Sequence, residues 1–255
     1  MAKLSVIVIT RNEERNLADC LISVGWADEI VVVDSASEDK TVEIARRFTQ
    51  NVYVRPWEGY SAAKSFALQQ CTSDWVLWVD ADERVTKELA EEIQNVVNKE
   101  VGDFVAHEFP RRSFFLGRWI RHCGWYPGYV VRLFRRSAGS FSDSKVHEYL
   151  KIDGNVGRLD HDLLHYTDPD LRHYFEKFNR YTSLAAEGME DAGSRFSLAQ
   201  LIVRPAWVFV RMYIIKRGFL DGIEGFILSI LSSCYVFTKY AKLWELTVRN
   251  KRSNR

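Results

Sequence analysis

The chain is expected to be an α/β protein, with a mixed, mainly parallel sheet covered by helices on both faces and a helical C-terminal extension. Three observations predict this. Uninterrupted apolar runs recur through the first hundred residues, at 4–9 (LSVIVI), 29–33 (EIVVV) and 75–79 (WVLWV). Amphipathic segments of helical period separate them. From Pro169 onward the pattern is helical throughout. Apolar runs of this kind suit strands buried on both faces, and parallel strands need helical crossovers.

The elements follow in order. After the strand at 4–9, residues 13–24 have helical spacing. The second strand, 29–33, leads to Ser37, which can cap a helix over 41–48 with Glu38 and Asp39 in its first turn. A short strand at 51–54 and a helix at 61–70 come next. The third strong strand, 75–79, precedes Thr86, which opens a helix with Leu89, Ile93, Val96 and Val97 on one face. Residues 103–166 read as short aromatic strands, at 104–109 and 129–134. Helices are expected over 171–192, 198–216 and 219–246. This gives an N-terminal half (1–110) and a second half (111–168) of one domain, for which the loops and motifs below suggest nucleotide-sugar and acceptor binding respectively, and a helical extension (169–255). The 255 residues correspond to roughly 1.7 domains at about 150 residues each.

Hydrophobic residues are 47% and charged residues 27%, which excludes a disordered or collagen-like chain. The net charge of +1 conceals a split, because residues 1–110 carry 11 Lys+Arg against 20 Asp+Glu and residues 111–255 carry 24 against 14. The four cysteines (Cys20, Cys71, Cys123, Cys234) form no C-x-x-C and read as buried free thiols in a reducing compartment. The longest charge-free stretch near the C-terminus, 225–238, falls short of the roughly 18–20 residues of a spanning helix. No complete span is expected. The aromatic, basic C-terminal helices suit the surface of an anionic membrane, and packing on the N-terminal domain is the bland alternative.

Right-handed crossovers place the loops after each strand along one sheet edge, where open α/β sheets bind ligands. Three polar loops fall there: Thr10-Arg-Asn12-Glu-Glu14, Asp34-Ser35-Ala-Ser-Glu-Asp39 and Asp80-Ala81-Asp82-Glu83. Each alone can be a helix-capping turn. Together they describe a nucleotide crevice, with carboxylates at i and i+2 suited to a hard divalent cation. Neither G-x-G-x-x-G nor a P-loop is present, so dinucleotide and P-loop sites are disfavoured. His147-Glu148 is not H-E-x-x-H, which removes a zincin. Seven arginines and no acid lie within 109–136. These suit phosphate better than nucleic acid in this context, because guanidinium matches phosphate bidentately. Trp119, Trp125 and Tyr126 can stack on sugar rings or pack in a core.

The segments Ser5–Glu13 (SVIVITRNE), Val31–Asp39 (VVVDSASED) with Thr41, Gly59–Leu68 and Trp78–Glu83 (WVDADE) resemble family-2 glycosyltransferases of the GT-A fold. Trp125-Tyr-Pro, Val131–Arg136, Val146-His-Glu148, Gly218–Gly222 and Lys239–Lys242 resemble bacterial lipopolysaccharide core β-1,4-glucosyltransferases. The resemblance implies a nucleotide-sugar pocket lined by Thr10, Asn12 and Glu14. Asp34 would contact uracil or its ribose, with Ser35 and Lys64 nearby. Asp80, beside Ala81, would touch the ribose or sugar, and Arg132 the diphosphate. It implies Mg²⁺ or Mn²⁺ at Asp82 and Glu148 as general base; His165, after a short apolar strand, is by its position either a further metal or diphosphate ligand or a satisfied core residue. The family more often carries Glu-Asp where this chain has His-Glu. The implied reaction is inverting transfer from a UDP-sugar, with glucose the expected sugar, to a lipid-linked heptose acceptor. It would proceed without nucleic acid, at the cytoplasmic face of the inner membrane. The rival readings are a polyprenyl-phosphate sugar transferase, a nucleotidyltransferase lacking its Gly-rich loop, and a non-catalytic membrane adaptor.

Overall fold

A computed structural model describes residues 2–99, 103–142 and 150–253. The chain forms two compact units, residues 1–111 with 128–165 and residues 112–127 with 166–255. Residues 112–127 therefore fold with the helical segment rather than with the flanking strands.

In the first unit, β1 (Leu4–Thr10), α1 (Leu17–Ser23), β2 (Glu29–Asp34), α2 (Thr41–Arg46), β3 (Val52–Val54), α3 (Tyr60–Gln70) and β4 (Trp75–Asp80) alternate as expected. The sheet order begins β3-β2-β1-β4 with all neighbours parallel. Every side chain of β1 is buried, as helices on both faces require. One layer packs Val6, Val8, Val32 and Leu77 against Leu17 and Leu21, and the other packs Ile7, Val31 and Val76 against Ala67. After β5 (Glu83–Val85) and α4 (Lys87–Asn98), β6 (Phe104–Phe115) enters. Thr86 caps α4 as the sequence indicates, its hydroxyl accepting from the Leu89 N–H at 3.2 Å.

Beyond β7 (Arg118–Trp119), β8 (Gly128–Arg135) inserts antiparallel between β4 and β6, which makes the sheet mixed. A short hairpin, β9 (Gly139–Phe141) with β10 (Leu150–Ile152), follows. β11 (Asn155–Arg158) runs parallel to β6, and the start of β12 (Leu163–Asp168) pairs with β5.

Several elements differ from expectation. α1 starts at Leu17 because residues 12–16 form a turn entered through Asn12 at φ 54°. Ser37 does not cap α2, since its hydroxyl is donated to Asp34 and accepts the Asn12 N–H. β6 passes through Pro110, which sits opposite Tyr129, so the strand runs to Phe115. Cys234 is exposed, while the other three cysteines are buried.

The second unit contains α5 (Leu171–Asp191), α6 (Leu198–Phe209) with a π-helical turn at Val210–Ile215, a 3₁₀ turn at Gly218–Asp221 and α7 (Gly222–Ser253). By length and composition, Leu198–Ile215 and Gly218–Val248 are apolar enough to cross a membrane. The sequence expectation of no complete span rested on a charge-free criterion. A span tolerates one or two charges, here Arg204 and Arg211, which a charge-free criterion does not allow. The chain turns sharply into α7 at glycines. A Cβ on Gly225 would lie 2.1 Å from the Gly218 carbonyl oxygen. Gly225→Ala is therefore expected to destabilise the second unit by about 1–3 kcal/mol. Thermal unfolding followed by near-UV circular dichroism checks this; an unchanged midpoint contradicts the close approach.

Candidate active site

The carboxyl ends of the parallel strands share one edge. Thr10 stands opposite Asp34, and Ile9 opposite Asp80. With strands about 4.8 Å apart, the loops after β1, β2 and β4 are immediate neighbours.

The loop after β4 folds back on itself. The Glu83 carboxylate, fully buried, accepts the Asp80 backbone N–H at 2.9 Å. Arg132 on β8 then bridges both acids, its Nη2 donating to Asp80 Oδ2 at 2.7 Å and to Glu83 Oε1 at 3.1 Å. Arg111 approaches Glu83 at 3.5 Å. Trp78 orients the group from below. Its Nε1 donates to Asp80 Oδ1 at 2.9 Å, and its ring carries the Arg132 guanidinium at 3.5 Å and the Lys64 ammonium at 3.7 Å. Strand alternation explains this, because Trp78 is one step beyond the registered pair Leu77–Leu133 and so faces Arg132 across the β4–β8 ladder.

The electrostatics follow from this packing. Burial raises the Asp80 carboxyl, but Arg132 and Lys64 outweigh it and pull the group down to about 2. Glu83, more deeply enclosed, is raised by burial despite Arg132, with Asp80 adding to the rise. Burial also pushes up the thiol of Cys20, which donates to the Asp80 carbonyl at 3.5 Å.

Asp82 lies on the other side of the turn. His165 on β12 is opposite Glu83 in the β5–β12 pairing, and its Nε2 is 3.3 Å from Asp82 Oδ2. Its Nδ1 is buried without a hydrogen-bond partner. One carboxylate and one imidazole fit Mg²⁺ or Mn²⁺ when phosphate oxygens and water complete the shell. Among the described residues no three His, Cys, Asp or Glu side chains form a ready-made cage.

The loops after β1 and β2 are stitched together. Asp34 is fully buried and accepts the Ser37 N–H at 2.8 Å and the Ser37 hydroxyl. The Asn12 amide oxygen accepts the Glu38 N–H at 2.9 Å, and Glu14 accepts the Lys40 N–H at 3.2 Å. Thr10 and Ser35 are buried at the strand ends, and the Thr10 hydroxyl has no hydrogen-bond partner. Thus Lys64, Asp80, Asp82, Arg132 and His165 gather around one turn, with Ala81 buried inside it. Thr10, Asp34 and Ser35 occupy the adjoining strand ends, while Asn12 and Glu14 are turned to the 36–41 loop. Glu148 lies outside the described residues. Sequence reasoning did not assign Trp78 or Glu83. The signal for them was slight: a charged residue next to the acidic pair and an aromatic two positions before it.

Comparison with known proteins identifies the fold and the family. The mannosyltransferase PcManGT of Pyrobaculum calidifontis, solved with GDP-Man and Mn²⁺, has a TM-score of 0.56 at 15% identity, covering 95% of this chain and 87% of that one. The fold is that of the GT-A transferases. Residues 5–148 match glycosyl transferase family 2. An uncharacterized glycosyltransferase of Rickettsia typhi is 32% identical across 98% of this chain and 90% of its own length. The lipopolysaccharide core biosynthesis glycosyltransferase LpsC of Rhizobium meliloti is 32% identical across 98% of this chain and 95% of its own. The chain belongs to glycosyl transferase family 2 and is a glycosyltransferase.

Removing Arg132 strands two acids. Arg132→Met is expected to cost about 3–5 kcal/mol at neutral pH. Without the guanidinium, burial and the neighbouring Asp80 hold the Glu83 carboxyl further above its ordinary value. The folded state then holds more protons than the unfolded state, and stability rises as pH falls toward 5. Thermal unfolding at pH 5 and pH 8 checks this; a deficit equal at both values contradicts it.

Proposed function

We propose that the enzyme transfers a sugar, glucose in the first instance, from a UDP-sugar to the heptose region of a lipopolysaccharide core acceptor, with inversion. The observation that carries this is the acidic turn at the carboxyl edge, in which Asp80 is fixed as an ionised acceptor while Asp82 faces His165. LpsC, named for lipopolysaccharide core biosynthesis, supports the acceptor class.

In this reading Thr10, Asp34 and Ser35 receive the base and ribose, with Asn12 and Glu14 shaping the loop beside them. Asp80, backed by Ala81 and Lys64, meets the ribose or sugar hydroxyls. Arg132 has Nε and Nη1 buried without hydrogen-bond partners, which favours its donating to the diphosphate. Asp82 and His165 would hold Mg²⁺ or Mn²⁺, which when bound supplies positive charge against the departing diphosphate. Glu148 takes the proton from the acceptor hydroxyl as that oxygen attacks the anomeric carbon. The bond from that carbon to the diphosphate oxygen breaks on the opposite face, so the α-linked donor gives a β product.

The acceptor is lipid-linked, so the enzyme works peripherally on the inner face of the cytoplasmic membrane. The two apolar helices favour a second reading, transfer to a polyprenyl phosphate, which differs only in acceptor.

Nucleotide release from UDP-, GDP- and ADP-sugars, with and without EDTA, tests the donor and metal. Core-lipid and polyprenyl-phosphate acceptors separate the two readings. Asp82→Asn is expected to lower UDP release by at least about 100-fold, on the scale of losing one electrostatic stabiliser of the leaving group. Glu148→Gln is expected to abolish transfer and leave UDP affinity intact. Turnover unaffected by Asp82→Asn and by EDTA contradicts the metal assignment.

A further inference from the structure

The second unit exposes large apolar side chains in helical register. On α6 and the π turn these are Val203, Trp207, Val210 and Ile214, and on α7 they are Ile223, Phe226, Ile230, Phe237 and Trp244. Spacings of three, four and seven residues put each set on one helix stripe. The α7 stripe is about 32 Å long at 1.5 Å per residue. Tyr213 joins the two sets, with its ring centroid 5.4 Å from Phe226 and 6.2 Å from Phe219, itself exposed. Other positions of α7 are already occupied: Leu228 and Leu243 are buried, and so is Tyr240, which stands in register with Phe237 and Trp244 but is covered from the side of Leu201 on α6.

We propose that this face is embedded in one leaflet of an anionic bilayer, with the helices lying along the interface rather than spanning it. The proposal rests on the membrane location given under the proposed function and specifies how it is achieved. Charge complementarity selects the lipid. Residues 193–255 carry eleven Lys+Arg against three Asp+Glu. Arg211, Lys216 and Arg217 are exposed around the turn, and Arg118 and Arg121 are exposed on the loop packed against it. Apolar stripes flanked by cations suit acyl chains below anionic headgroups.

The turn also explains why the helices do not cross, although they are long enough. Asp221, 2% exposed, accepts the backbone N–H groups of Arg121 and His122 at 3.2 and 2.8 Å. The His122 ring lies 2.9 Å from the same carboxylate, and Arg118 is 3.6 Å from Glu224. Moving this turn to the far side of a bilayer would carry the 118–122 loop with it or leave a buried carboxylate stripped of its donors. Either is prohibitive in hydrocarbon.

The test is flotation of the full chain with phosphatidylglycerol–phosphatidylethanolamine vesicles and with phosphatidylcholine vesicles. The wild type is expected to float with the former and lose most binding in high salt. A Trp207→Ser/Phe219→Ser/Ile223→Ser variant is expected to bind at least about tenfold more weakly. Arg211→Gln/Arg217→Gln, which leaves the apolar face intact, should weaken binding to the anionic vesicles alone. Arg217→Cys in a Cys234→Ser background should react with an impermeant maleimide added outside the vesicles. Protection of that thiol would overturn the interfacial geometry. Absence of flotation, with a dimer in solution that the triple variant dissociates, would assign the face to a second copy of the chain and overturn the proposal. UDP release in detergent-free buffer is read in parallel, so failure of the surface and failure of the transferase reading are told apart.

Discussion

A single guanidinium holds the acidic turn at the carboxyl edge of the sheet together. Arg132 lies almost wholly out of solvent between Asp80 and Glu83, while the Glu83 carboxylate also holds the Asp80 backbone N–H. The fully buried Glu83 and the half-buried Asp80 lie too close together for both to stay ionised without it. The turn therefore exists only where β8 pairs antiparallel with β4 and delivers Arg132 to it. Trp78 adds a flat surface for the cations and a donor for Asp80. The division of labour between neighbouring carboxylates follows from this enclosure. Asp80 is kept ionised and aligned, Glu83 is a structural acid, and Asp82 stays outside the clamp beside His165.

The same constraint separates what is legible in the sequence from what is hidden. The strands are legible because burial on both faces demands unbroken apolar runs such as SVIVI and WVLWV. The acidic turn is legible because it directly follows one of them. The Arg132–Glu83 bridge is not, because its partners are 49 residues apart and meet only through an antiparallel insertion that no local pattern specifies. Trp78 looks like another core residue of its strand. Ser37 looks like a helix cap because its neighbours suit a first turn, but the buried Asp34 carboxylate captures its hydroxyl. Asn12 and Glu14 lie at the expected edge, yet their side chains satisfy the N–H groups of the neighbouring loop. In the C-terminal half, helices are readable from period. Their exposed stripes are not, since apolar residues on a buried face and on an exposed one look alike in a sequence.

The two units pose different physical problems. The first buries apolar residues on both sheet faces and spends its polar groups on interlocking loops at one edge. The second has more apolar surface than its own helices cover, and most of the excess positive charge. Its turn at residues 216–224 is held by buried polar contacts to Asp221. One chain thus encodes a sheet with its polar loops gathered at one edge and a helical unit with exposed apolar stripes. The acidic balance of residues 1–110 and the basic balance of residues 111–255 are the compositional trace of that division.

The most direct test is a crystal structure of the enzyme with UDP and Mn²⁺. Uridine is predicted at the ends of β1 and β2 beside Thr10 and Asp34, with the diphosphate reached by Arg132 and the metal on Asp82. The opposite sheet edge carries a cleft of about 570 Å³ lined by Asp28, Arg47, Thr49 and Thr72. Nucleotide bound there, with none at the Asp80–Asp82 turn, would contradict the assignment of the site.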